Sequence, residues 1–143
     1  MKNRFILLMA MLIIGVTCVQ ANRRTRQIDK INNALQQEAI TTSELYHGKK
    51  LDDITIFDKC HYDIENRELI YYEIIVEDLI DISTCDTVAM KNILTDTLKN
   101  NRGIVDALLA VGGSIKYVYV GDTSGQSFTI EFTYWDLNNI PYF

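Results

Sequence analysis

The chain is 143 residues long and 48% hydrophobic, and its 14 Lys and Arg against 19 Asp and Glu give a net charge of −5. A chain of this length supports one domain with a core of its own, without the metals or multiple staples that much shorter chains need. The acid surplus excludes the basic face that nucleic acid demands and disfavours adhesion to anionic membranes.

The first residues read as a secretory leader. Lys2 and Arg4 give a positive start, Phe5 to Cys18 is an uncharged and mostly apolar run, and Val19-Gln20-Ala21 supplies small residues around a cleavage point. The run is shorter than the ~20 residues of a bilayer-spanning helix. Arg23, Arg24 and Arg26 follow it, where an inward-facing anchor disfavours positive charge. The reading is cleavage after Ala21, delivery to the periplasm or beyond, and no stable membrane insertion afterwards. A retained anchor and lipidation at Cys18 are the alternatives, although Gly15-Val16-Thr17-Cys18 departs from a lipobox at its first and third positions. Cleavage leaves residues 22–143 with 12 basic and 19 acidic side chains, a net charge of −7.

Residues 25–38 predict a helix, with Ile28, Ile31 and Leu35 on one stripe and Thr25 as its cap. Residues 39–52 read as polar and irregular. A strand follows over 53–62, with Ile54, Ile56 and Cys60 on one face and Asp58 breaking the pattern. The polar loop 63–67 leads into a strand over 68–77. There Ile70, Tyr72, Ile74 and Val76 alternate with Tyr71, Glu73 and Glu77, and Ile75 lies among the latter. After a connection over 78–85, Ser83 or Thr84 is placed to cap a helix over 86–99. A short helix over 104–111 stops at Gly112-Gly113. Ser114–Val120 and Ser127–Tyr134 are strands flanking the turn 121–126. The order α-β-β-α-α-β-β predicts an α+β domain over residues 22–143: a four-stranded antiparallel sheet of two hairpins with helices on one face.

Cys60 and Cys85 remain after cleavage, and an even count in an oxidising compartment reads as a disulfide. If Cys60 faces the helical layer and Cys85 starts the helix packed there, the bridge staples sheet to helix. Two buried free thiols are the alternative.

The helix ending in Gly-Gly, then Ser114-Ile115-Lys116-Tyr117-Val118-Tyr119-Val120, the Gly121–Gly125 turn and Phe128-Thr129-Ile130-Glu131-Phe132 form a pattern. With Leu51–Ile56 and Leu69–Glu73 upstream, it resembles small exported bacterial proteins of uncharacterised families with a cystatin-like arrangement of helix and strands. The resemblance spans about residues 27–136, and it implies a fold and a secreted setting but no activity. Cystatin inhibitors use a Gln-x-Val-x-Gly hairpin that this chain lacks, so protease inhibition is not carried over.

No nucleophile–base–orienter grouping appears, so no catalytic residue, metal ligand or cofactor is assigned. Cys60 and His61 are strand neighbours and point to opposite faces. Asp53, His61 and Asp63 share strand parity and form the basis of a rival reading as a small hydrolase or metal-dependent enzyme. Solvated charge at a hairpin is the plainer account. Parity in the third strand is ambiguous. If the valines are core, Tyr71, Tyr117, Tyr119 and Trp135 form an exposed aromatic face suited to a protein or glycan partner; cross-strand packing is the alternative. The functional expectation is a non-enzymatic binding protein of the bacterial envelope, with a periplasmic inhibitor or immunity-type protein as a close variant.

Overall fold

The computed structural model describes residues 24–142; the leader, its cleavage after Ala21 and Cys18 lie outside these residues. Helix α1 spans Arg24–Tyr46, longer than the sequence pattern predicts. Its apolar stripe passes from Ile31 and Leu35 into Ala39, Thr42 and Tyr46, which are small or amphipathic and therefore read as polar. Thr25 lies inside the helix rather than capping it. Gly48, at φ +76°, turns the chain towards the sheet.

Strands β1 (Thr55–Asp63) and β2 (Glu68–Ile75) form the expected antiparallel hairpin. A turn of 3-10 helix at Ile82–Thr84 precedes α2 (Thr87–Lys99) and α3 (Arg102–Val111). Asp86 caps α2, accepting from the Val88 and Ala89 N–H groups at 3.1 and 3.0 Å, while Ser83 and Thr84 belong to the turn before it. Strands β3 (Ser114–Gly121) and β4 (Ser127–Phe132) form the second hairpin. β4 ends two residues early because Thr133 and Asp136 build a capping box that starts a short helix, α4 (Tyr134–Asn138). No helix among the described residues is long and apolar enough to cross a membrane.

The α+β class and the element order are as expected, but the sheet is mixed rather than wholly antiparallel. Its order is β1-β2-β3-β4, and the central pair β2–β3 runs parallel. The reason lies in the connection: residues 76–113 carry two helices, and a helical crossover returns the chain parallel where a short loop would reverse it.

Cross-strand register lines up rows over each face of the sheet. On the covered face the rows are Tyr62-Leu69-Ile115-Phe132, Cys60-Tyr71-Tyr117-Ile130 and Phe57-Glu73-Tyr119-Phe128. The helices pack here, α1 against β1 and α3, and α3 against α2 and α4. Leu35, Leu98, Val105, Leu108 and Leu137 are fully buried beneath them. A bulge between Phe57 and Lys59 adds one residue to β1 and flips its parity. Cys60 therefore shares the covered face with Phe57, while Ile56 lies on the opposite one.

Candidate functional site

The four aromatic residues expected to form one exposed face do not share one. Tyr71, Tyr117 and Tyr119 are 1%, 0% and 0% exposed. Tyr71 stacks on Tyr117 at 5.2 Å, and Tyr119 on Phe128 at 4.9 Å. The parity resolves with the larger side chains inward, where they pack with Leu35, Leu98 and Leu108 of the helices in one buried cluster. Trp135 is exposed, but on α4, at right angles to Tyr134 and away from the sheet rows.

The cysteines are also not brought together; both are free. Cys85 lines a cavity of about 220 Å3 with Ile54, Ile75, Ile80 and Met90. Cys60 pairs with Tyr71, four residues up β2 from Ile75. Tyr71 and Ile75 stand ~13 Å apart along the strand, so the two thiols sit against different parts of the covered face. Burial pushes the Cys60 thiol well above its usual range, which favours the protonated thiol.

Asp53, His61 and Asp63 are not assembled either. Asp53 is exposed in the loop before β1, and seven residues, six of them in β1, separate it from His61. Asp63 sits at the end of β1, where it accepts from both the side chain and the backbone N–H of Asn66. Among the described residues no three His, Cys, Asp or Glu side chains are placed to hold a metal ion.

The sheet does present a site on its open face. There the rows are Ile56-Ile74-Val120, then Lys59-Tyr72-Val118-Thr129, then His61-Ile70-Lys116-Glu131. Ile56, Ile70, Tyr72, Ile74, Val118 and Val120 are contiguous, and each is half-buried. Over Tyr72, Ile74 and Val120 lies a hollow of about 330 Å3, which Asp58, Glu73, Gly121 and Asp122 also line. Lys59 covers one face of the Tyr72 ring, its Nζ 4.8 Å from the centroid. Lys116 bridges to Glu68 at 2.8 Å, which marks the polar end of the face. The sequence contained this stripe, since Ile70, Tyr72 and Ile74 alternate plainly. Nothing in it showed that the apolar residues, rather than the tyrosines opposite, stay uncovered.

Beneath the sheet, Glu73 is a buried acid, 5% exposed, in the row between Phe57 and Tyr119. Burial, and then the Asp52 carboxylate, push its carboxyl up to about 8, and the Tyr119 hydroxyl beside it offsets part of the rise. Glu73 Oε2, Asp52 Oδ2 and Thr55 Oγ1 are buried without a hydrogen-bond partner. A buried acid whose neighbours also lack partners bears directly on stability.

No family model matches the chain, and no curated protein does. Among solved structures it is similar in fold to a candidate secreted protein, PA3611, from Pseudomonas aeruginosa. The two share 16% identity at a TM-score of 0.59, over 82% of this chain and 99% of that one.

Proposed function

We propose that this chain is an exported, non-enzymatic binding protein that engages a protein partner through the open face of its sheet. The observation that carries the reading is the contiguous set Ile56, Ile70, Tyr72, Ile74, Val118 and Val120, all half-buried on the face opposite the buried tyrosine rows. A sheet face of this kind gains by exchanging water for a partner's apolar surface, at about 25 cal/mol per Å2 covered. The leader-like N-terminus supports export, and so does the fold shared with a candidate secreted protein. A protein suits the face better than a glycan. Sugar rings stack on exposed aromatic platforms, four of the sheet's five tyrosines are buried, and Lys59 covers one side of Tyr72. Asp58 and Asp122 beside the hollow favour a basic partner, which keeps the inhibitor or immunity-type variant in view.

The test compares the wild type with Val118→Asp and Ile74→Asp as baits in envelope extract at low salt. Both substitutions place charge on the open face and leave the covered rows untouched. The expected result is a discrete partner retained by the wild type and lost by both variants. Retention of the same partner by both, or none retained by the wild type, refutes the reading.

A further inference from the structure

The two edges of the sheet are treated differently by the rest of the chain. Along β1, the outward backbone groups are occupied as far as Cys60. Thr55 C=O accepts from Leu51 N–H at 2.8 Å, and Phe57 exchanges bonds with Lys49 C=O and Gly48 N–H, both at 2.8 Å. His47 Nδ1 lies 2.7 Å from Asp58 C=O. Ser43 Oγ both accepts from Cys60 N–H and donates to Cys60 C=O, at 2.8 and 2.9 Å. The bulge and the exposed Lys59 add the usual guards of an edge strand.

β4 has none of these. It carries no proline, no bulge and no lysine, and α4 leaves it for the helical layer, where Leu137 is buried. Gly121 N–H donates to Gln126 C=O at 2.8 Å, which sets the ladder's phase. Residues 126, 128, 130 and 132 then face β3, and the backbone groups of Ser127, Thr129 and Glu131 point outward. Among the described residues, these outward groups have no partner.

We infer that β4 is a self-association edge, pairing antiparallel with β4 of a second copy about a two-fold axis at Thr129. The phase admits only registers in which a residue faces its own copy. Centring on Glu131 sets carboxylate against carboxylate. Centring on Phe128 or Ile130 pairs the strand only in part. Centring on Thr129 uses its full length: Thr129 faces Thr129, each Ser127 faces the partner copy's Glu131, and no like charges oppose. Three such pairs exchange about six backbone hydrogen bonds. Residues directly opposite point to the same side, so the two open faces join into one continuous eight-stranded surface. This self-pairing does not depend on what binds that surface.

The test is sedimentation velocity of the purified chain across a wide dilution series. The wild type shows a monomer–dimer equilibrium, and Thr129→Lys, which sets two ammonium groups face to face, raises the dissociation constant at least tenfold. Thr129 is exposed on the open face, and circular dichroism checks that the fold is kept. A second measurement fixes the register and survives failure of the lysine variant. In a Cys85→Ser background, Thr129→Cys closes into a covalent dimer under mild oxidant, because facing Cα atoms stand ~5.5 Å apart. Ser127→Cys does not. A wild type that stays monomeric at every concentration, a folded Thr129→Lys that associates unchanged, or equal cross-linking from both cysteine positions overturns the inference.

Discussion

Replacing Glu73 by Gln should stabilise the protein, and by an amount that depends on pH. The Glu73 carboxyl has an ordinary value of 4.5, and burial beside Asp52 raises it to about 8 in the folded chain. Between those values the folded state holds a proton that the unfolded chain has released, so stability falls as pH rises. The loss is absent below the unfolded value, reaches about 3 kcal/mol at pH 7, and levels off at about 5 kcal/mol above pH 9. Against a typical total of 5–15 kcal/mol that is a large standing cost. Gln has the same shape, does not ionise, and offers an N–H to the Asp52 Oδ2 that now lacks a partner. Urea unfolding followed by circular dichroism, in steps from pH 4 to pH 9, measures the difference between wild type and Glu73→Gln. Subtraction removes the acid-side losses common to both, from carboxylates such as Asp63, Asp81 and Asp136 that hydrogen bonds hold below their usual range. The difference should be small near pH 4.5 and widen with pH. A constant offset, or a wild type whose stability is level from pH 5 to pH 9, refutes the reasoning.

Two further outcomes follow from the packing. Gly113→Ala should cost about 1–3 kcal/mol in the same unfolding assay, because its Cβ would stand 2.5 Å from the Arg67 carbonyl oxygen, a backbone atom that cannot step aside. Alkylation of the native protein followed by mass spectrometry should label Cys85 and leave Cys60 unmodified until denaturant is added, since both thiols are free and Cys60 is buried. A loss of two hydrogens with neither cysteine labelled would restore the disulfide.

Much of the local structure was legible in the sequence. The alternation in β2 and β3, the Gly112 stop of α3 at φ +71° and the turn between β3 and β4 follow from side-chain period and turn chemistry. Two local signals were legible and missed. Thr133 and Asp136 have capping-box spacing inside what reads as a strand, and Ala39, Thr42 and Tyr46 continue the stripe of α1 through a polar-looking run. Asp58 breaks the pattern of β1, but a broken pattern does not say which later residues change sides.

The residues by themselves determined the α+β class, the element order, and two alternating faces on each central strand, because these depend on neighbours along the chain. Only the tertiary structure decided which face is covered. Both faces are apolar enough to be core, and the choice rests on what the helices bring against them. The same holds for the parallel pairing of β2 with β3, which depends on where the helical crossover returns the chain. It holds for Cys60 and Cys85, which stay free because one lies in β1 and the other ends the turn before α2, against different parts of the covered face. The candidate surface thus moved from the tyrosines to the isoleucines and valines behind them, although the alternation that defines both was present in the sequence from the start.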